Sequence, residues 1–344
     1  MAHALAVVDD PSFDDHRPPA EQPEHPECPA RLFAARRAVT RISRTVPLVA
    51  VPARRATDDE LCRIHTPAYI EQLGRSAGSW GTFDEDTYVA PGSVTAALTA
   101  AGGAIELVNA LADGRAARGV ALLRPPGHHA RPSGAMGFCL INNVAVAAAH
   151  ARARGAERVM IVDFDVHHGN GTQESFYADP SVLFVSLHQF PLYPGTGSVG
   201  ELGSGDGRGR TINVPLSPGA DDAVYAAAFA RIVAPLCADF EPDFLLLSAG
   251  FDAHRADPLA QMRLSDAGYG EMVCALTATL APNVPVGMVL EGGYDLDALE
   301  ASLVRALEAL TGGATAEAPA GLLDGRHAEE LARVTAAAGP YFHL

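Results

Sequence analysis

The sequence predicts an α/β domain built on a mostly parallel sheet with helices on both faces, and three observations predict it. From residue 120 onward, short β-branched apolar segments alternate with longer helix-forming ones, the order that a parallel sheet with crossover helices imposes. Those short segments are apolar along their length, as strands covered on both faces require. Four of them run straight into His, Asp, Glu, Tyr and Gly, at the carboxyl ends where such sheets bind ligands.

Taken in order, residues 4–8 form a first strand and the polar, proline-rich stretch 9–29 a long loop, with Pro29 at the threshold of a helix over 30–39. Thr57 followed by Asp58, Asp59 and Glu60 reads as an N-cap with an acidic first turn, opening a short helix that carries Leu61 and Ile64. Residues 67–73 form another. The glycine-rich, acidic stretch 78–89, with Asp84, Glu85 and Asp86, reads as a solvated loop. A long Ala-rich helix covers 91–111, and Gly102 and Gly103 inside it point to close packing against another backbone. Strands then fall at 120–123, 159–162, 182–187, 211–214, 244–247 and 286–290. Helices fall at 142–154, 172–177, 221–237, 265–280 and 295–310. The low-complexity stretch 312–321 joins a terminal helix over 326–337. With no repeat and no dividing linker, residues 1–344 read as a single domain.

The chain is long enough for a large core, and its 48% apolar and 19% charged content is ordinary for a soluble globular protein. All 25 basic residues are arginine, and the formal charge is −16. A lysine Schiff base and a P-loop lysine are therefore excluded. An acidic chain without a basic tract is not expected to grip nucleic acid or anionic lipid directly. Cys28, Cys62, Cys139, Cys237 and Cys274 are scattered and never form a C-x-x-C pair, so they read as free thiols of a reducing, cytoplasmic setting. The apolar run 4–8 lacks the basic lead of a signal peptide. No stretch approaches roughly 18 uninterrupted apolar residues, so no membrane span is expected. Homo-oligomerisation is left open.

The run 159–162 empties into Asp163-Phe164-Asp165-Val166-His167-His168-Gly169-Asn170-Gly171. On an extended chain Asp163, Asp165 and His167 point to one side, and carboxylate oxygen with imidazole nitrogen suits a borderline divalent cation. The strand at 120–123 leads to Arg124-Pro125-Pro126-Gly127-His128-His129, that at 244–247 to Ser248-Ala249-Gly250-Phe251-Asp252, and that at 286–290 to Glu291-Gly292-Gly293-Tyr294. Each piece alone is an ordinary turn or surface pair; jointly they converge on one rim. Asp165, His167 and Asp252 make three ligands with positions left open, as a catalytic zinc requires. Ferrous iron suits the same set. Because two carboxylates offset the charge of the cation, a separate general base is needed. His128 and His129 both qualify, and Asp163 can accept a hydrogen bond from one of them. Tyr294 can donate to an oxygen on which negative charge develops. Metal, base and oxyanion donor together indicate hydrolysis of a carbonyl compound, an amide.

These motifs, with weaker matches from His25-Pro26-Glu27 to the helix after Asp295, resemble the zinc-dependent histone deacetylase family, specifically its class II branch and the bacterial deacetylase-like and acetylpolyamine amidohydrolases. The resemblance implies a three-layer arginase-deacetylase type fold with a mainly parallel, eight-stranded sheet. It implies zinc on Asp165, His167 and Asp252, with His129 as base toward water and then acid toward the leaving amine. His128 would pair with Asp163, and Tyr294 would polarise the acetyl carbonyl. Phe138 and Tyr193 would flank a narrow tube lined by Gly137, and Arg31 would lie near an inner cavity that takes acetate. A structural potassium ion would sit on main-chain oxygens of Asp163, Asp165, His167 and Leu187 with the Ser186 hydroxyl. The implied substrate is an acetylated lysine of a peptide or protein, or a small acetylated amine.

Departures within the family narrow the expectation. Asn170 stands where class I enzymes carry Asp, matching class II, and Tyr294 is not the His of the weakly active class IIa branch. Polyamine-selective relatives carry Glu after the Asp-Pro that follows the third metal ligand; here Asp257-Pro258 is followed by Leu259, which argues against that selectivity, although residues 84–86 can supply charge from another loop. The segment 189–193 is shorter than in class I. An acetylpolyamine amidohydrolase is the nearest alternative. A manganese ureohydrolase would need ligands for a second metal, which His168 and Asn170 do not supply. A non-catalytic acyl-group binder would not need both His129 and Tyr294.

Overall fold

Strand formation follows the apolar runs. The structure, a computed structural model, describes residues 3–313 and 323–344. Its main sheet contains β1 (Leu5–Val8), β2 (Leu48–Val51), β5 (Arg118–Ala121), β6 (Val159–Asp163), β7 (Val182–Gln189), β8 (Thr211–Leu216), β9 (Phe244–Ala249) and β10 (Val286–Leu290). A separate two-stranded ribbon pairs β3 (Gly81–Thr82) with β4 (Tyr88–Val89). Every residue of β5, β6, β7, β9 and β10 is buried. Among the described residues the main sheet has 8 strands in the order β2-β1-β5-β10-β9-β6-β7-β8, all parallel.

Helices cover the sheet: α1 (Ala30–Ile42), α2 (Asp58–Leu61), α3 (Pro67–Arg75), α4 (Ser93–Ala112), α5 (Asn143–Ala153), α6 (Asn170–Phe176), α7 (Asp222–Ala228), α8 (Ala234–Phe240), α9 (Asp266–Thr277), α10 (Leu296–Leu310) and α11 (Gly325–Ala338). The caps are those the sequence carries. Thr57 and Glu60 form a full capping box on α2, and Asn142, Asp221, Ser265 and Asp295 each accept main-chain N–H bonds at the starts of α5, α7, α9 and α10. The helix expected over 221–237 is continuous from α7 to α8 through a π-helical turn at Phe229–Val233. Inside α4, a Cβ at position 102 would fall 1.8 Å from the Arg54 carbonyl oxygen, so the close backbone approach expected there is real. Both α4 and the α7–α8 segment are long and apolar enough to cross a membrane, with mean hydropathy 1.4 and 1.5, yet 78% and 50% of these windows is buried in the fold. None of the five cysteines is in a disulfide among the described residues.

Three elements differ from expectation. β2, not expected from the sequence, is an edge strand whose first three residues are not buried; its apolar run is only four residues long and is closed by Pro47 and Pro52, which reads as a connection. β5 starts and stops two residues earlier than the apolar run 120–123, and Leu122 leaves the ladder with a last bond to the Val8 carbonyl before Arg124. The acidic stretch 78–89 forms the β3–β4 ribbon rather than an open loop. Most of the stretch 312–321 lies outside the described residues.

The sheet order is what positions the site. Chain order delivers the four polar rims after β5, β6, β9 and β10, whereas space places β5, β10, β9 and β6 side by side. Register aligns their ends, with Asp163 opposite Ser248, and Ser248 opposite Val289.

Candidate active site

At the floor, Asp165 and Asp252 are buried to 1% and 0% exposure, and His167 Nδ1 lies 3.2 Å from Asp165 Oδ1 and 3.1 Å from Asp252 Oδ2. The ligand atoms of all three lie within 4.8 Å of one another. The glycines after β9 and β10 make room for the carboxylates: a Cβ at 250 would meet Asp165 Oδ2 at 2.1 Å, and one at 292 would meet Asp252 Oδ2 at 2.3 Å. Burial and the neighbouring Asp165 charge push the Asp252 carboxyl up to about 7. Burial opposes protonation of His167, yet hydrogen bonds to Asp165 and Asp252 push it up to about 10. Two buried carboxylates converging on one nitrogen are a donor set that a divalent cation fits, because its charge removes both penalties.

The two histidines after β5 have opposite electrostatics. His128 Nδ1 is 3.0 Å from Asp163 Oδ2; burial disfavours its charge, but Asp165 and Asp163 outweigh that and push it up to about 10. His129 Nδ1 is 2.8 Å from Asn170 Oδ1. Burial, then the charges of His128 and His167, hold His129 well below its usual value. An amide oxygen only accepts, so Nδ1 carries the His129 proton and Nε2 keeps a free lone pair. Their shared backbone is held by Glu291, whose carboxylate accepts from Gly127 N–H at 2.6 Å and His128 N–H at 3.1 Å. The sequence reading left Glu291 without a role, although its place directly after β10 marks it.

Above this floor lies a cavity of about 210 Å³ lined by His129, Gly137, Phe138, His167, Tyr193, Leu259 and Tyr294, together with Asp86 and Leu192. The tube residues expected from the family resemblance thus meet in one space. The Tyr193 ring stands edge-on to His129 at 5.2 Å, and the Phe138 ring edge-on to Tyr294 at 5.8 Å. Burial raises the Tyr294 phenol well above its usual value, so it stays a donor.

Phe138 has a left-handed φ of 69°, and its N–H is held by Thr87 Oγ1 at 3.1 Å while the Gly137 N–H points to Asp84 Oδ2 at 3.4 Å. The ribbon read as a solvated loop therefore braces the tube wall. A Cβ on Gly137, itself at φ 56°, would meet His129 Cδ2 at 2.6 Å and Tyr193 Cε1 at 3.0 Å. Gly137→Ala is expected to cost about 1–2 kcal/mol of stability, and to lower turnover at least about tenfold, since small misplacements of catalytic groups cost that much. Denaturant unfolding and steady-state rates check this; an unchanged rate would mean that His129 does not need its present place.

Arg31 lies beneath Tyr294, its guanidinium 4.8 Å from the ring centre. It is fully buried and bonds Gly293 O at 2.7 Å, Glu27 Oε1 at 3.2 Å and the Glu291 carbonyl. Glu27 also receives two bonds of 2.6 Å from Arg124. Despite burial, which favours protonation, Arg124 holds the Glu27 carboxyl below the usual carboxylate range. Sequence reasoning missed this buried Arg–Glu–Arg cluster; the four-residue spacing of Glu27 and Arg31 was its one local signal. Ser186 and Leu187 lie on β7 with Ser186 opposite Asp163, and Ser186 Oγ is 3.0 Å from His188 Nδ1. His168 faces away from the cavity, toward Thr196 Oγ1 at 2.8 Å and Gln173 Oε1 at 3.0 Å.

Residues 25–310 match the histone deacetylase domain family. The chain is 43% identical to histone deacetylase 15 of Arabidopsis thaliana over 297 residues, covering 84% of this chain and 53% of the plant protein. It is 43% identical to an uncharacterised protein of Synechocystis sp., covering 84% and 94%, and 38% identical to a probable deacetylase of Archaeoglobus fulgidus, covering 80% and 78%. The chain thus spans about half the length of the plant relative and nearly all of the cyanobacterial one. The crystal structure of the HDA15 HD domain superposes with a TM-score of 0.91 at 38% identity, covering 98% of this chain and 96% of that one. The fold is accordingly the arginase-deacetylase type. Carrying that fold and a domain match over most of its length, the chain belongs to the histone deacetylase family, a family of hydrolytic enzymes.

Proposed function

We propose that the chain is a zinc-dependent deacetylase that removes acetyl groups from lysine side chains of peptides or proteins, or from similar acylated amines, releasing acetate. The observation that carries this reading is that His129, Tyr294 and His167 line one cavity, with Asp165 and Asp252 gathered on His167 beneath it; burial holds His129 below and Tyr294 above their usual values, favouring a neutral base and a phenolic donor. A divalent cation held by those three residues, zinc or ferrous iron, supplies Lewis-acid polarisation of the substrate carbonyl and of the attacking water.

The chain's own groups supply the rest. The aliphatic stem of the substrate passes between Phe138 and Tyr193, over Gly137, into the cavity of about 210 Å³. His129 Nε2 takes the proton of the attacking water and returns it to the leaving amine. Tyr294 donates its phenolic hydrogen bond to the carbonyl oxygen as charge develops there. His128, kept cationic by Asp163 and Asp165, lowers the basicity of His129 and adds positive charge behind the site. Arg31 offers a buried cation toward which acetate can leave. A structural potassium ion on the main-chain oxygens of Asp163, Asp165, His167 and Leu187 with the Ser186 hydroxyl is supported by one feature: among the described residues no hydrogen bond ends on the Asp165 or His167 carbonyl. We read residues 1–344 as one catalytic domain, and cysteines that form no disulfide among the described residues suit a reducing, cytoplasmic setting.

A second reading, hydrolysis of acetylpolyamines, is favoured by Asp86 at the mouth, where a carboxylate could meet a second ammonium group. Leu259 and Leu192 on the same rim favour the first. Comparing turnover of an acetyl-lysine peptide with that of N-acetylputrescine by the zinc-loaded protein separates them. Preference for the peptide is expected; strong preference for N-acetylputrescine transfers the assignment, and hydrolysis of neither sinks both.

A further inference from the structure

Tyr294 follows two glycines, and Gly293 has a φ of 118°, so nothing local fixes its place. The main chain around it is instead suspended from other elements. Arg31 holds the carbonyls of Glu291 and Gly293, and Asp165 Oδ2 accepts from Gly292 N–H at 2.8 Å. These supports belong to the floor. The N–H of Tyr294 itself goes elsewhere, to Asp257 Oδ2 at 2.7 Å, with Asp295 N–H on the same oxygen at 3.3 Å. The other oxygen of that carboxylate, Oδ1, accepts from Leu259 N–H at 3.0 Å. Asp257 is 6% exposed, and among the described residues it has no cationic partner within ion-pair distance; main-chain N–H groups satisfy it. One buried carboxylate therefore joins the residue at the cavity floor to the apolar residue at its mouth.

We propose that Asp257 is a positioning residue that sets Tyr294 over the reacting carbonyl and ties it to Leu259 at the mouth. This rests on the reading of Tyr294 as the carbonyl donor. A purely structural role is the competing account, because Asp257 also accepts the N–H of Asp295, the cap residue of α10. The two differ in what Asp257→Ala does once the Tyr294 hydroxyl is gone.

In the zinc-loaded full chain, Asp257→Ala is expected to lower kcat about ten- to hundredfold, the range for residues that orient a reacting group. In a Tyr294→Phe background the same change is expected to cost no more than about twofold, since acting through one group makes effects non-additive. An equal loss in both backgrounds overturns the proposal. Hydrogen exchange supplies a reading independent of catalysis: the peptide spanning residues 291–296 should exchange faster in Asp257→Ala while β6 is unchanged. Wild-type protection of that peptide overturns the tie even if turnover falls. Should the alanine variant fail to fold, Asp257→Asn, which keeps an acceptor for only one side, is expected to show the same pattern at smaller size. Turnover of acetyl-lysine peptide by Tyr294→Phe alone, set against wild type, tests the role of Tyr294 separately, so its failure is distinct from failure of the tie.

Discussion

Replacing Asp252 with alanine is expected to abolish metal binding and turnover together. Asp252 follows β9, whereas Asp165 and His167 follow β6, so its loss leaves two ligands close in sequence and opens the far side of the site. Two ligands do not hold zinc as three do. Lewis-acid stabilisation is worth several kcal/mol, and about 4 kcal/mol corresponds to roughly a thousandfold in rate. The check is metal content after chelation and reloading, measured beside turnover of an acetyl-lysine peptide. Wild type should recover both and Asp252→Ala neither. Zinc retained at wild-type stoichiometry by the variant would place the metal elsewhere.

The second large effect concerns Tyr294→Phe. The change isolates one hydroxyl, because what positions the ring survives in phenylalanine: the Arg31 guanidinium at 4.8 Å, the Phe138 edge at 5.8 Å and the N–H bond to Asp257. Burial keeps this phenol protonated well beyond neutral pH, so it donates throughout the working range. Loss of one such donor costs about 10²–10³ in kcat. We expect that loss with metal content unchanged and substrate binding little altered, since the donor bond strengthens only as charge develops on the carbonyl oxygen. Turnover equal to wild type would remove Tyr294 from the chemistry. A fall in metal content would mean that the ring supports the floor rather than the reaction.

Much of the floor was legible before any coordinates because its chemistry is written in short runs. Asp163, Asp165 and His167 lie within five positions, His128 and His129 are adjacent, and each run follows an apolar strand. The wall of the tube was less so. Phe138 and Tyr193 sit in irregular segments whose only signal was family likeness, and the residues that brace Gly137 and Phe138, Asp84 and Thr87, fall in a stretch whose composition reads as solvent-facing. Glu27 was equally hidden: a carboxylate in a polar loop gives no sign that two arginines will enclose it.

The sequence by itself determined the alternation of strands and helices over the second half of the chain, the parallel sheet and the hydrolytic reaction class, and it named candidate ligands, because these depend on local periodicity and on residue chemistry. Only the tertiary structure decided that β5, β10, β9 and β6 are neighbours, that Glu291 holds the histidine pair from another strand, and that Asp257 reaches Tyr294. Those facts depend on sheet order and on where loops return. A chain fixes both by burying apolar surface over long sequence separations, a sum over the whole core that no short run of residues encodes.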